Sequence, residues 1–197
     1  MKTKTIIYVA ALLMLCACSS TTKMDSVEGF EEVIATVNKH VDKKYEIVSI
    51  KVFEEDKLSN NLGSIYVGMY HEGKSFELTI HSGMEPELSD GKGSYNGDVS
   101  KIKGIDLTKI DKEKLRAYIE QAVEEVSEAA GDVEYVYRGV GNFSIDNNGK
   151  GDEIKYDFSI NIVEKEGATR QEGRRIVTDY YEVKFDVDKD GNMKMRD

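Results

Sequence analysis

Apolar residues fall on every second position from Ile65 to Met69, and again from Phe76 to Ile80. A period of two marks a strand with one buried face. Glu72-Gly73 lies between the two runs as a two-residue turn that pairs His71 with Lys74. That pairing sets Ile65, Val67 and Met69 against Ile80, Leu78 and Phe76. It leaves Tyr66, Gly68 and Tyr70 facing Thr79, Glu77 and Ser75 on the other side. A slip of one residue would break both faces, so the pattern predicts a hairpin of Ser64–His71 with Lys74–His81. A further strand is expected just before it, over Tyr45–Phe53.

The period changes upstream. Val27, Phe30, Val33, Ile34, Val37 and Val41 form a helical stripe over Asp25 to Lys44, with Asp25 and Glu28 as a capping-box-like start. A second helix is expected from Lys112 to Ala130, with Leu115, Tyr118, Ile119, Ala122 and Val126 on one side. Asp111 is its N-cap, Ile110 and Leu115 its hydrophobic staple, and Gly131 its left-handed stop. Glu113, Arg116, Glu120, Glu124 and Glu128 make up its solvated face. Strands are then predicted over Val133–Ile145, Glu153–Val163, Arg175–Val187 and Asn192–Met195. The second of these is expected to bury one face, Ile154 to Ile162 in steps of two. Lys189-Asp190-Gly191 is a three-residue loop that pairs Val187 with Met193 and Phe185 with Met195.

The chain therefore reads as α+β, an αβββ unit followed by an αββββ unit, each a helix packed on an antiparallel sheet. The units span residues 25–104 and 105–197, and they share an architecture rather than residue identity. In arrangement such tandem helix-on-sheet units resemble those of secreted β-lactamase-inhibitor-type proteins, with no motif in common. Ser82 to Lys109 joins the halves; it holds five glycines and the only proline, Pro86. It reads as a linker with an edge strand over Val99–Ile105.

Lys2 and Lys4 precede the ten-residue apolar run Ile6–Leu15. Ten helical residues cover about 15 Å, half of a hydrocarbon core, so residues 1–17 read as a signal peptide and not a span. Leu15-Cys16-Ala17-Cys18 resembles the lipobox of bacterial lipoprotein precursors. The resemblance implies lipidation of Cys18 as the mature N-terminus, several acyl chains and stable membrane attachment. Ser19 stands where an Asp would mark inner-membrane retention, which implies the outer membrane in a two-membrane cell. Residues 18–24 then read as a flexible tether.

Composition sharpens this picture. The chain has 197 residues, 27 basic and 37 acidic, for a net charge of −10. Loss of Lys2 and Lys4 with the signal peptide makes that −12. Such a balance excludes non-specific nucleic-acid binding, which needs cations against phosphate. Both cysteines, Cys16 and Cys18, belong to the N-terminal address, so the domain holds no thiol nucleophile or cysteine-ligated metal.

Candidate chemistry is sparse. His71 and His81 fall on opposite faces about 23 Å apart along the hairpin, too far to share a metal ion. Gly91-Lys92-Gly93-Ser94 lacks the Ser or Thr after Lys, and the strand-to-helix frame, of a phosphate loop. Asp186, Asp188 and Asp190 before Gly191 have the alternate spacing of calcium loops, although strands flank them where helices would flank an EF-hand. In a meander the turn Asp146–Asp152 emerges at the same end, so Asp146, Asn148, Asp152, Asp188 and Asp190 are expected to share one acidic rim that would suit Ca²⁺. Tyr66, Tyr70 and His81 on the polar face of the hairpin suit a protein, peptide or glycan partner. The expected function is therefore that of a lipid-anchored envelope module acting by binding. The alternatives are a structural cation-binding lipoprotein, or a hydrolase that gathers Glu85, Glu87, Asp90 and Asp98 in the central loop.

Overall fold

The computed structural model describes residues 22–91, 101–166 and 168–196. The signal peptide, Cys18, residues 92–94 of the glycine-rich run, Asp98 and the start of the Val99–Ile105 strand lie outside the described residues. Helix α1 (Val27–His40) is followed by β1 (Glu46–Glu54), β2 (Leu62–His71), β3 (Lys74–His81) and β4 (Glu87–Asp90). Helix α2 (Lys112–Ala129) is followed by β5 (Tyr135–Asp146), β6 (Lys155–Glu164), β7 (Thr169–Glu172), β8 (Arg175–Thr178), β9 (Tyr181–Val187) and β10 (Met193–Met195). Among the described residues, no helix is long and apolar enough to cross a membrane.

The fold is mixed α+β, with a large antiparallel sheet. Its eight strands run in the order β10-β9-β6-β5-β1-β2-β3-β4, and β7 and β8 form a separate two-stranded ribbon. The β2–β3 hairpin has the predicted register throughout, from Ser64 opposite His81 to His71 opposite Lys74. Val187 faces Met193 and Phe185 faces Met195, as the three-residue loop requires, with Gly191 at φ +86°.

The two halves do not keep separate sheets. β1 pairs with β5 from Ser49 opposite Asp146 to Phe53 opposite Asn142. Each strand would otherwise present a row of unpaired backbone groups, and pairing satisfies both. It also places Ile50 and Val52 beside Ile145 and Phe143 in a single apolar cluster that extends from Met24 to Val187. Both helices lie on that face. Phe30 of α1 meets Phe143 edge-on at 5.1 Å, and Leu115, Tyr118 and Ile119 of α2 close over Phe143 and Phe158.

The first helix is shorter than its stripe suggests. Its N-cap is Ser26, whose Oγ accepts from the Gly29 amide at 3.0 Å, and not Asp25. Asp25 instead accepts from the Tyr137 hydroxyl at 2.7 Å. Val41 turns extended, and Asp42 accepts from the Lys44 amide, which ends the helix before Lys44. In α2, Asp111 caps the Lys114 amide and Gly131 adopts φ +63°, both as the sequence predicts.

Three further differences follow from tertiary contacts. The edge strand of the central segment is β4, placed on β3 from Phe76 opposite Asp90 to Thr79 opposite Glu87; Pro86 just precedes it, where a missing amide costs nothing. Lys103 and Ile105, by contrast, make isolated contacts with the turn after β5 and with Ile47. The Arg175–Val187 strand breaks at Asp179-Tyr180, where the Asp179 amide bonds back to Ala168 and its carboxylate pairs with Arg170. And β6 is buried on both faces, with Ser159 and Asn161 fully enclosed.

The second face of β6 is enclosed because the β1–β2 loop folds back over it. Asn60 docks at Gly139, where φ is +126° and an added Cβ would lie 2.2 Å from the Asn60 side chain. From there the Asn60 Oδ1 accepts from the Val140 amide at 3.0 Å. Glu54 reaches across β5 and accepts from Asn161 Nδ2 at 3.0 Å. The same loop fixes the chain that enters the fold. Leu62 N donates to Thr22 O, Met24 N donates to Asn60 O, and Met24 is 1% exposed.

Candidate functional site

With both helices on one face, the other face of the sheet is polar. Across it the register aligns Thr79, Tyr66, Lys51, Ser144, Asp157, Asp186 and Lys194 in one row over seven strands. The next row runs His81, Ser64, Phe53, Asn142, Ser159 and Lys184. The two rows bring Phe53, Tyr66 and His81 into contact. The Phe53 and Tyr66 rings meet at 5.6 Å and those of Tyr66 and His81 at 6.1 Å, both edge to face at 89°. Edge-to-face rings hold one another in place while leaving ring faces open to a ligand. Phe53 is 41% exposed, unusual for a phenylalanine that a covering layer would hide.

Of the expected binding residues, Tyr66 and His81 are thus brought together, and Tyr70 is not. Tyr70 stands four residues along β2, about 13 Å away, between Ser75 and Glu46. Phe53 is the member that hairpin reasoning missed. His71 lies at the far end, its ring 5.5 Å from that of Tyr45.

Beside the aromatic row lies a groove of about 440 Å³, lined by Lys51, Ser144, Asp146, Lys155, Asp157 and Asp186. Ser144 donates a short hydrogen bond to Asp157, and Arg196 lies 2.7 Å from Asp186 and 3.6 Å from Asp157. Lys51 makes no ion pair among the described residues. The groove is therefore polar and of mixed charge, and Lys51 on its lining is the cross-strand neighbour of Tyr66.

No family model, characterised protein or solved structure matches this chain.

The acidic turns share one end of the sheet. A second groove of about 240 Å³ there is lined by Asn148, Asp188 and Asp190, with Lys150, Lys155 and Lys189 between them. Most carboxylates at this end are engaged locally. Asp146 accepts from the Asn148 amide, Asp152 from Lys109, and Asp186 faces Arg196. Asp186, Asp188 and Asp190 consequently do not converge, and among the described residues no three His, Cys, Asp or Glu side chains are placed to hold a metal ion. Glu85, Glu87 and Asp90 are exposed along the outer edge at β4.

Asp188 holds its own turn. Its carboxylate accepts from the side chain and amide of Asn192 and from the Asp190 amide, which pulls its pKa below the usual carboxylate range. A depressed folded pKa means the stabilisation is complete above the unfolded pKa, about 3.9, and disappears as pH falls through the folded value. In an NMR pH titration the Asp190 and Asn192 amides should hold steady down to about pH 4 and then shift together. A transition already complete at pH 4 would contradict the capping role. Elsewhere, burial and then the Asp25 carboxylate push the Tyr137 hydroxyl far up, which keeps it a neutral donor to Asp25, and burial raises Tyr156.

Proposed function

We propose that this protein is a lipid-anchored envelope lipoprotein that works by binding a protein, peptide or glycan partner on the uncovered face of its sheet, and not by catalysis. The observation that carries this reading is the Phe53–Tyr66–His81 stack, exposed on a face that neither helix covers. Amphipathic aromatic rings supply much contact area for little conformational entropy, and the neighbouring groove adds polar groups for orientation. The anchor is Cys18, acylated after removal of residues 1–17, and the membrane is the outer one in a cell that has two. The halves read as two helix-on-sheet units, αβββ and αββββ, joined along β1 and β5. The strand order, which mirrors itself about that pair, supports this division.

A photo-crosslinking residue at Tyr66 in intact cells should capture one discrete partner, and the same residue at Glu120 on α2 should not. The reading also expects labelled palmitate in the wild type and none in Cys18→Ser. Equal capture from both positions, or none from Tyr66, would reject the binding face. Palmitate that persists in Cys18→Ser would reject the anchor.

A further inference from the structure

The end of the sheet that fixes the N-terminal segment carries a second feature. β6 ends and β9 begins where β1 ends and β2 begins, so the β7–β8 hairpin rises from the end that holds Thr22. The β1–β2 loop joins the two. Lys23 Nζ donates to Ser59 O at 2.9 Å in the β1–β2 loop. Lys57 of that loop stands 3.8 Å from Glu182 and 5.7 Å from the centre of the Tyr180 ring, at the root of the hairpin.

The charges of the hairpin are not evenly spent. Arg170 is held by Glu172 and Asp179, and Lys165 by Glu134. Arg174 and Arg175, at a tip turned by Gly173 at φ +60°, have no side-chain partner among the described residues. Beside them Ile176 is 78% exposed. In a chain of net charge −10, this tip joins two uncompensated cations to an apolar side chain with nothing to bury it. Guanidinium groups seek lipid phosphates, and a neighbouring isoleucine gains by entering the acyl boundary.

Resting on the anchoring of Cys18, we propose that Arg174, Arg175 and Ile176 dock on the anionic headgroups of the membrane that the lipid enters. Only three residues lie between Cys18 and Thr22, a reach of about 14 Å at full extension over the four Cα–Cα steps. The end of the sheet bearing the hairpin is therefore held against the bilayer, and the Asp188–Gly191 turn at the opposite end points away from it.

The protein has no tryptophan, so Ile176→Trp provides a single reporter. The lipidated full chain is reconstituted into vesicles of phosphatidylglycerol with phosphatidylcholine, with palmitate labelling measured on the same sample. The I176W emission should move to shorter wavelength and be quenched by brominated acyl chains, while a K189W reporter stays water-like. Arg174→Gln with Arg175→Gln should lower the docked-to-undocked ratio about thirty-fold, from about 1 kcal/mol per cation at an anionic surface. A labelled protein whose I176W emission stays water-like, or whose K189W emission shifts equally, overturns the orientation alone. An unlabelled protein overturns the anchor and the orientation with it.

Discussion

Phe185→Ala is expected to destabilise the protein by about 3–5 kcal/mol. Phe185 is fully buried in β9, and its ring stacks on Phe158 at 5.5 Å and 15°. It lies opposite Phe158 on one side and Met195 on the other, so it joins β6 to the last strand of the sheet. Truncation removes the transfer free energy of a benzyl group and leaves a cavity that paired strands on both sides keep from collapsing. A thermal melt should show a drop of about 10 °C or more. Ile176→Ala, at an exposed position of β8, should stay within about 0.5 kcal/mol of wild type. A Phe185→Ala protein that melts like wild type would mean the β9 side of the core is not packed as described.

Asn147→Ala is the second expectation, at about 3 kcal/mol with a local signature. Asn147 is fully buried, and its side chain serves three backbone groups. Nδ2 donates to Lys103 O at 3.0 Å and to Gly151 O at 2.9 Å, while Oδ1 accepts from the Gly149 amide at 2.9 Å. Alanine leaves these groups without their partner, each at a cost of about 1–3 kcal/mol where water cannot reach. It also cuts the tie between the turn after β5 and the segment that leads into α2. Hydrogen exchange should therefore accelerate first at Lys103 and Lys150, whose amides bond to Gly149 and Asn147 carbonyls. Asn147→Asp tests the donors separately, because it retains the acceptor alone. If it proves as stable as wild type, the two carbonyl contacts contribute nothing.

Much of the fold is legible in the pattern of residues, and what is not has identifiable causes. The β2–β3 register follows from strict alternation and a two-residue turn, which act independently, and it locates Tyr66 and His81 on one face. Phe53 escapes because its neighbour across the ladder is set by the β1–β2 loop, Glu55 to Asn61, which has no standard turn signature and enters through a register shift. Asp25 looks like a cap until Tyr137, more than a hundred residues away, claims its carboxylate. Ser159 and Asn161 look solvent-facing because period two reports only that successive side chains diverge; a returning loop hides the polar side as well. The break before β9 did leave a trace, since Asp179 falls on the inward phase shared by Val177 and Tyr181. The alternate aspartates near the end have the spacing of cation ligands. Spacing alone does not reveal that Asn192 occupies Asp188 and Arg196 occupies Asp186 first.

The pairing of β1 with β5 also has a consequence in time. Ser49 and Asp146 are neighbours in space, yet nearly a hundred residues separate them along the chain. The hairpins β2–β3 and β5–β6 close over short loops, whereas this seam must bring distant segments together before any of its contacts form. A chain made at about 5–20 residues per second reaches the end of β5 some 5–20 s after it completes β1. Through that interval β1 has β2 on one side and no strand on the other. The edge of Ser49–Phe53, backed by Ile50 and Val52, is then the part of the nascent protein most exposed to the wrong partner.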